Sequence, residues 1–179
     1  MSRMPDTRWL SDDEQRVWRD FAVATAMLHA HFESQLQRDG GMPHAYYEVL
    51  VALSEAPGRT MRMSELADAR FSSRSRLSHA VARLEANGWV RREACPTDKR
   101  GAWAVLTSSG FAALEAAAPG HVETVRENLF DPLSPEQVKQ LGEIMAAIRG
   151  RLSAGCAAAM AAGESCSEAS PADTPRTGA

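Results

Sequence analysis

The sequence predicts a mainly α fold interrupted by one small β-hairpin, and three observations predict it. Apolar residues recur at helical spacing through most of the 179 residues. Between residues 89 and 107 the spacing changes from 3.6 to 2, the period of strands. Capping and breaking residues fall at the ends of the periodic segments. The chain is long enough to enclose one sizeable core.

Taken in order, the first helix starts in "LSDDEQRVWRDF". Ser11 and Glu14 have capping-box spacing, and Asp12 and Asp13 suit the positive end of a helix dipole. Trp18, Phe21, Ala22, Thr25 and Leu28 carry the stripe onward until "RDGGMP" stops it. A second helix runs from about Pro43 to Ser54 and ends before Pro57-Gly58. "SELADAR" forms a short third helix with Ser64 at its cap. In the fourth, "SSRSRLSHAVARLEANGW", Leu77, Ala80, Val81 and Leu84 define one apolar face, Ser72 or Ser73 caps the start, and Asn87-Gly88 stops the end. "WVRREA" and "AWAVLT" are two strands joined by "CPTDKRG". Thr107 caps the next helix, which Pro119-Gly120 should kink or break before "HVETVRENLF" resumes it. Ser134 and Pro135 open a last helix, and from Gly163 a Gly/Ser/Pro/Ala tail without periodicity reads as disordered.

A short helix, a tight turn, a second helix and a two-stranded ribbon make a winged helix-turn-helix with a two-stranded β-wing, here with long helices on both sides. In that arrangement the second helix of the pair enters a DNA major groove, and the ribbon lies beside the adjacent backbone or minor groove.

Charge patterning agrees. The chain carries a net −3, yet Arg59 to Trp103 holds ten Lys and Arg against five acids, so this window is +5 and the remainder −8. A basic middle between acidic ends is the footprint of a local polyanion surface on an acidic body. No run of about 18 apolar residues indicates a membrane span, and the opening residues lack the apolar core of a signal peptide. Cys95, Cys156 and Cys166 form no CxxC pair, which argues against a disulfide framework or a structural zinc and for a reducing cytoplasm. The five histidines form no recognisable metal motif, and no metal or cofactor is expected.

On the fourth helix, Arg76, His79 and Arg83 form a strip opposite the apolar face, with Ser75 and Ser78 beside it. Arginine can donate two parallel bonds to guanine O6 and N7, and Arg76 is the candidate for that contact. Ser73 and Arg74, near the helix start, suit phosphates. Ser78 and His79 are placed for base edges, with Lys99 a plain phosphate contact.

The matching residues are those of the MarR family of bacterial transcriptional regulators, which the chain resembles from Trp9 to Leu152. "SELADAR" resembles the family's first helix of the pair, and "SSRSRLSHAVARLEANGWVRRE" its recognition helix and first strand. "CPTDKRGAWAVLTSSG" resembles its wing, with Asp98, Arg100, Leu106 and Thr107 at the Asp-x-Arg and Leu-Thr positions. The flanking helices look alike too. The resemblance implies a homodimer whose first and last helices interlock, with residues 9–40 and 108–160 serving dimerisation, 43–107 DNA binding and 163–179 a tail. It implies a cytoplasmic repressor without enzymatic activity, bound to double-stranded DNA at a pseudo-palindromic operator and released by a small aromatic or phenolic effector. Arg100 then enters the minor groove, braced by Asp98. Ser78-His79 stands where the family often has Thr-Arg.

Other readings stay open from the residues. Trp9, Trp18, Tyr46 and Tyr47 line a ligand pocket or pack core and dimer. Cys95, at the wing base, is the candidate for a thiol switch in a redox-sensing regulator. A winged helix also serves as a protein-interaction module. Ser75 and His79 have i, i+4 spacing, but no third group or oxyanion turn completes a catalytic site.

Overall fold

The computed structural model describes residues 7–69, 74–95 and 98–161. Helix α1, Asp12–Gly40, begins at the expected capping box: the Ser11 hydroxyl accepts from the Glu14 N–H, and the Glu14 carboxylate accepts from the Ser11 N–H at 2.8 Å. Helix α2, His44–Glu55, is followed by strand β1, Thr60–Arg62, helix α3, Met63–Ala69, and helix α4, Arg74–Ala86. Strands β2, Val90–Cys95, and β3, Asp98–Leu106, precede helix α5, Ser108–Val125, a π-helical turn, Arg126–Phe130, and helix α6, Pro135–Ala161.

Four sequence expectations need correction. The sheet has three antiparallel strands in the order β1-β3-β2, not two. Thr60–Arg62 is too short to show a period, and only pairing with Trp103, Ala104 and Val105 of β3 makes it a strand. Helix α3 starts one residue before Ser64. The Glu65 carboxylate accepts the Arg62 N–H at 3.2 Å and closes that start instead. The segment expected as a turn, Cys95 to Gly101, is largely strand: Cys95 ends β2 and Asp98 begins β3, with a register shift between Ala94 and Cys95. Finally, α5 runs through Pro119-Gly120. Proline removes the donor for the Glu115 carbonyl, but Glu115 and Pro119 both lie on the exposed side, where water can serve that oxygen. Gly120 lies on α1, so close that a Cβ would sit 2.9 Å from Gln35 Nε2. The α1 packing thus holds the helix on course. The expected caps Ser72 and Ser73, and the tail from Gly163, lie outside the described residues.

The core sits under the winged unit. Leu50 and Leu53 of α2, Leu66 of α3, Val81 and Leu84 of α4 and Ala104 of β3 are fully buried in one cluster. The long helices contribute little to it: Leu36 from α1, and Leu114 and Ala117 from α5.

One junction ties the wing to α5. Gly88, with φ +72, turns the chain out of α4 in a conformation glycine adopts freely. The Thr107 N–H donates to the Trp89 carbonyl at 3.0 Å, and its hydroxyl lies 2.7 Å from the Gly88 carbonyl and accepts from the Gly110 N–H. A Cβ on Gly110 would fall 2.1 Å from the Trp89 oxygen. Gly110→Ala is therefore expected to lower stability by about 1–3 kcal/mol, the usual range for overpacking, read as a lower urea midpoint at an unchanged m-value.

Candidate nucleic-acid interface

Helix α4 divides cleanly. Leu77, Val81 and Leu84 are buried, whereas Ser75, Arg76, Ser78, His79 and Arg83 are exposed. The buried face packs on α3, α2 and β2, so the strip of Arg76, His79 and Arg83 points away from the body. Arg74 lies in the first turn of α4. Ser73 lies outside the described residues. Asp98, Lys99 and Arg100 open β3, on the ribbon that extends from the same core.

Not all the basic residues of the +5 window are available to a polyanion. The Arg91 guanidinium pairs with Glu93 at 2.7 Å, and that of Arg92 with Glu85 at 3.1 Å. Arg62 lies over the Trp103 ring at 5.1 Å, and Arg59 over Phe111 at 3.6 Å. Arg62, Arg91 and Arg92 thus brace the sheet, and Arg59 ties the turn before β1 to α5. Acids and aromatic residues near these arginines are present in the sequence, but spacing alone does not say which of them faces which base.

The aromatic residues separate. Trp9 is 84% exposed and Trp18 58%, with Trp18 stacked on Phe21 of its own helix. Tyr47 is buried and Tyr46 packs against the core. The single chain therefore does not bring the two tryptophans into ring contact with the two tyrosines. Cys95 ends β2.

A model of the MarR family matches residues 40–101. Sco3205, a MarR family transcriptional regulator from Streptomyces coelicolor solved in complex with DNA, is 57% identical and superimposes with a TM-score of 0.78 over 82% of this chain and 92% of that one. The chain belongs to the MarR family. AbsC, a MarR family regulator from the same organism, is 42% identical with a TM-score of 0.77, covering 83% of this chain and 99% of its own. The transcriptional regulator HosA of Escherichia coli O111:H- is 36% identical over 91 residues, 51% of this chain. The match spans 65% of the length of HosA, just under two thirds. The family is one of transcriptional regulators, not of enzymes.

Sequence spacing did not reveal one cluster in this MarR protein. Where α1, α2 and α5 meet, His121 packs on Tyr47 at 4.5 Å, Phe32 at 5.2 Å and His44 at 5.6 Å, and His44 in turn on His29 at 5.7 Å. The three histidines are far apart in the chain, so only helix packing unites them. The arrangement is not a metal site: among the described residues no group of His, Cys, Asp or Glu is placed to hold an ion. The Nδ1 of His121 is buried without a hydrogen-bond partner. Burial holds its pKa below the ordinary 6.5, charge on His44 adds to the depression, and the Glu48 carboxylate opposes it. Burial likewise raises the Tyr47 hydroxyl.

A depressed imidazole is more readily protonated unfolded than folded, so stability falls as pH drops from the unfolded value of about 6.5 through the lower folded value. The melting temperature is expected to decline between pH 7.5 and 5. His121→Phe should flatten that slope; an unaltered slope in the variant would place the effect elsewhere.

Proposed function

We propose that this MarR regulator is a sequence-specific, homodimeric DNA-binding repressor that a small aromatic or phenolic effector releases from its operator. The exposed polar and basic face of α4, held by a fully apolar opposite face, carries the reading. It is supported by the DNA complex of Sco3205, with which the chain shares 57% identity. In the proposed complex α4 enters the major groove. Arg76 donates to a guanine, Ser78 and His79 reach base edges, and Ser73, Arg74, Ser75 and Arg83 serve backbone or flanking bases. Lys99 meets phosphate and Arg100 the minor groove, with Asp98 bracing the arm.

The dimer reading rests on uncovered apolar surface. Only Gln35 and Leu36 of the 29 residues of α1 are buried, leaving Val17, Phe21 and Met27 exposed, and α6 exposes Ile144, Ile148 and Leu152. Patches of that kind mark an interface, and a second copy interlocking α1, α5 and α6 would cover them. The acidic ends of the chain then lie away from the phosphates. The effector is proposed to sit between the dimer helices and the winged unit, where Tyr46 and Tyr47 offer aromatic surface. Trp9 and Trp18 join that pocket only from a dimer partner. Differential affinity for one spacing of the two α4 helices lets it shift the population off DNA. No described helix is long and apolar enough to cross a membrane, in keeping with a proposed cytoplasmic location.

Selection of bound sequences from a random duplex pool tests the reading. An inverted repeat with half-sites roughly 34–36 Å apart is expected. Absence of any enriched sequence, with binding that vanishes as salt rises, would refute it. On the selected operator, Arg76→Ala is expected to cost about 1–3 kcal/mol, or roughly 5- to 150-fold in Kd, and to relax preference at one base position. Ile148→Glu should shift the protein to monomer in analytical ultracentrifugation and abolish cooperative operator binding.

A further inference from the structure

We infer that Arg92, with Glu85, is a positioning residue that locks the recognition helix to the wing and so sets sequence discrimination without touching DNA. The inference rests on the proposed reading of α4 as the DNA-facing helix. Both residues fall in the basic window that composition alone would assign to the polyanion, one as a contact and the other as an interruption. Their geometry gives them a different task.

Three bonds join strand β2 to α4 at this point. The Arg92 backbone N–H donates to Glu85 Oε1 at 2.9 Å. The Arg92 Nε lies 3.1 Å from Glu85 Oε2, and its Nη2 donates to the Ser78 carbonyl at 2.9 Å. One carboxylate thus holds both the main chain and the side chain of Arg92, and the far arm of the guanidinium reaches seven residues back along the helix. At 1.5 Å per residue, the anchor spans about 10 Å of α4, nearly two turns.

Two features separate this link from a surface ion pair. Arg92 and Glu85 are 33% and 32% exposed, against 59% and 50% for the neighbouring Arg91–Glu93 pair, so the Arg92 link is less screened by water. The link also falls at a free edge. Strand β2 is the outer strand of the β1-β3-β2 sheet, so the N–H that Glu85 accepts would otherwise be an unpaired edge group.

The mechanical consequence follows from how α4 is held. Its apolar face, Leu77, Val81 and Leu84, resists lifting off the core, but a row of aliphatic contacts is non-directional and resists rolling about the helix axis poorly. Hydrogen bonds from β2 to Ser78 and Glu85 are directional and oppose that roll. Arg76 and His79, on the exposed strip, are displaced most by it. Without the clip the helix still meets phosphates by charge, but Arg76 no longer meets a guanine edge at bidentate geometry while the wing engages.

The test uses the full chain, the selected operator duplex and a random-sequence duplex of equal length, titrated over a range of salt. Glu85→Ala is the decisive variant, because it removes a carboxylate near a polyanion and charge alone would tighten binding. Glu85→Ala and Arg92→Gln are each expected to weaken operator binding by about tenfold, roughly 1.4 kcal/mol. Glu85→Ala should not weaken binding to the random duplex, and neither variant should change the operator salt slope. The double variant should lose no more than either single one, since both break the same link. Two results would overturn the inference. One is equal loss by Arg92→Gln on both duplexes with the salt slope falling by about 0.9, the mark of a lost phosphate contact. The other is unchanged operator affinity in both variants. Hydrogen exchange of the free protein gives a readout independent of DNA: faster exchange at the Arg92 amide and along β2 is expected in both variants, and unchanged exchange would refute the link. If the wild type selects no operator while exchange responds as expected, the DNA-binding reading fails and the clip stands.

Discussion

The structure depends on how the chain passes through Gly88 and Trp89. Their carbonyls receive Thr107 and Ser109: the Thr107 hydroxyl lies 2.7 and 3.0 Å from the two oxygens, and the Ser109 hydroxyl donates to Gly88 at 2.8 Å. Four elements end or begin there, namely α4, β2, β3 and α5. The same Thr107 oxygen caps α5 through the Gly110 N–H at 3.0 Å. The first turn of α5 is thereby set against the Gly88–Trp89 turn that follows α4. Several hydrogen bonds converge on these two carbonyls, and the direction in which α5 leaves the winged unit follows from them.

From that node the molecule divides by how its surface is satisfied. The winged unit is self-sufficient: α2, α3, α4 and the sheet bury their apolar faces on one another. Helices α1 and α6 are not, and their exposed isoleucine, leucine, phenylalanine and tryptophan side chains leave apolar surface in water. The same division holds for charge. Arginines on the strands pack within the unit on Glu93, Glu85 or an aromatic face, and Arg76, His79 and Arg83 lie exposed on α4. Net positive charge over a window therefore includes residues engaged in packing within the unit.

The junction of α1, α2 and α5 joins these two halves. Close approach at Gly120 lets α5 lie on α1, and His44, Tyr47, Phe32 and His121 fill the space beside it. An imidazole with a buried, unpartnered nitrogen among aromatic rings is an imperfectly satisfied group at the junction of α1, α2 and α5. Such a site is costly to protonate.

Local rules were enough for much of this protein. Ser11 with Glu14, Thr107, and Ser134 with Gln137 cap helices as their spacing demands, because a cap is decided within four residues. The apolar face of α4 was legible because amphipathic periodicity states which side must be buried, and the exposed strip followed as its complement. Tertiary structure alone decided the rest. Thr60–Arg62 is a strand only because β3 offers it a partner, and α5 continues through Pro119 only because α1 supports it. Arg92 answers Glu85, and three histidines distant in the chain share one junction, because packing brought them within a few ångströms. Periodicity and capping act over one or two helical turns; pairing between elements depends on distances that no local pattern encodes.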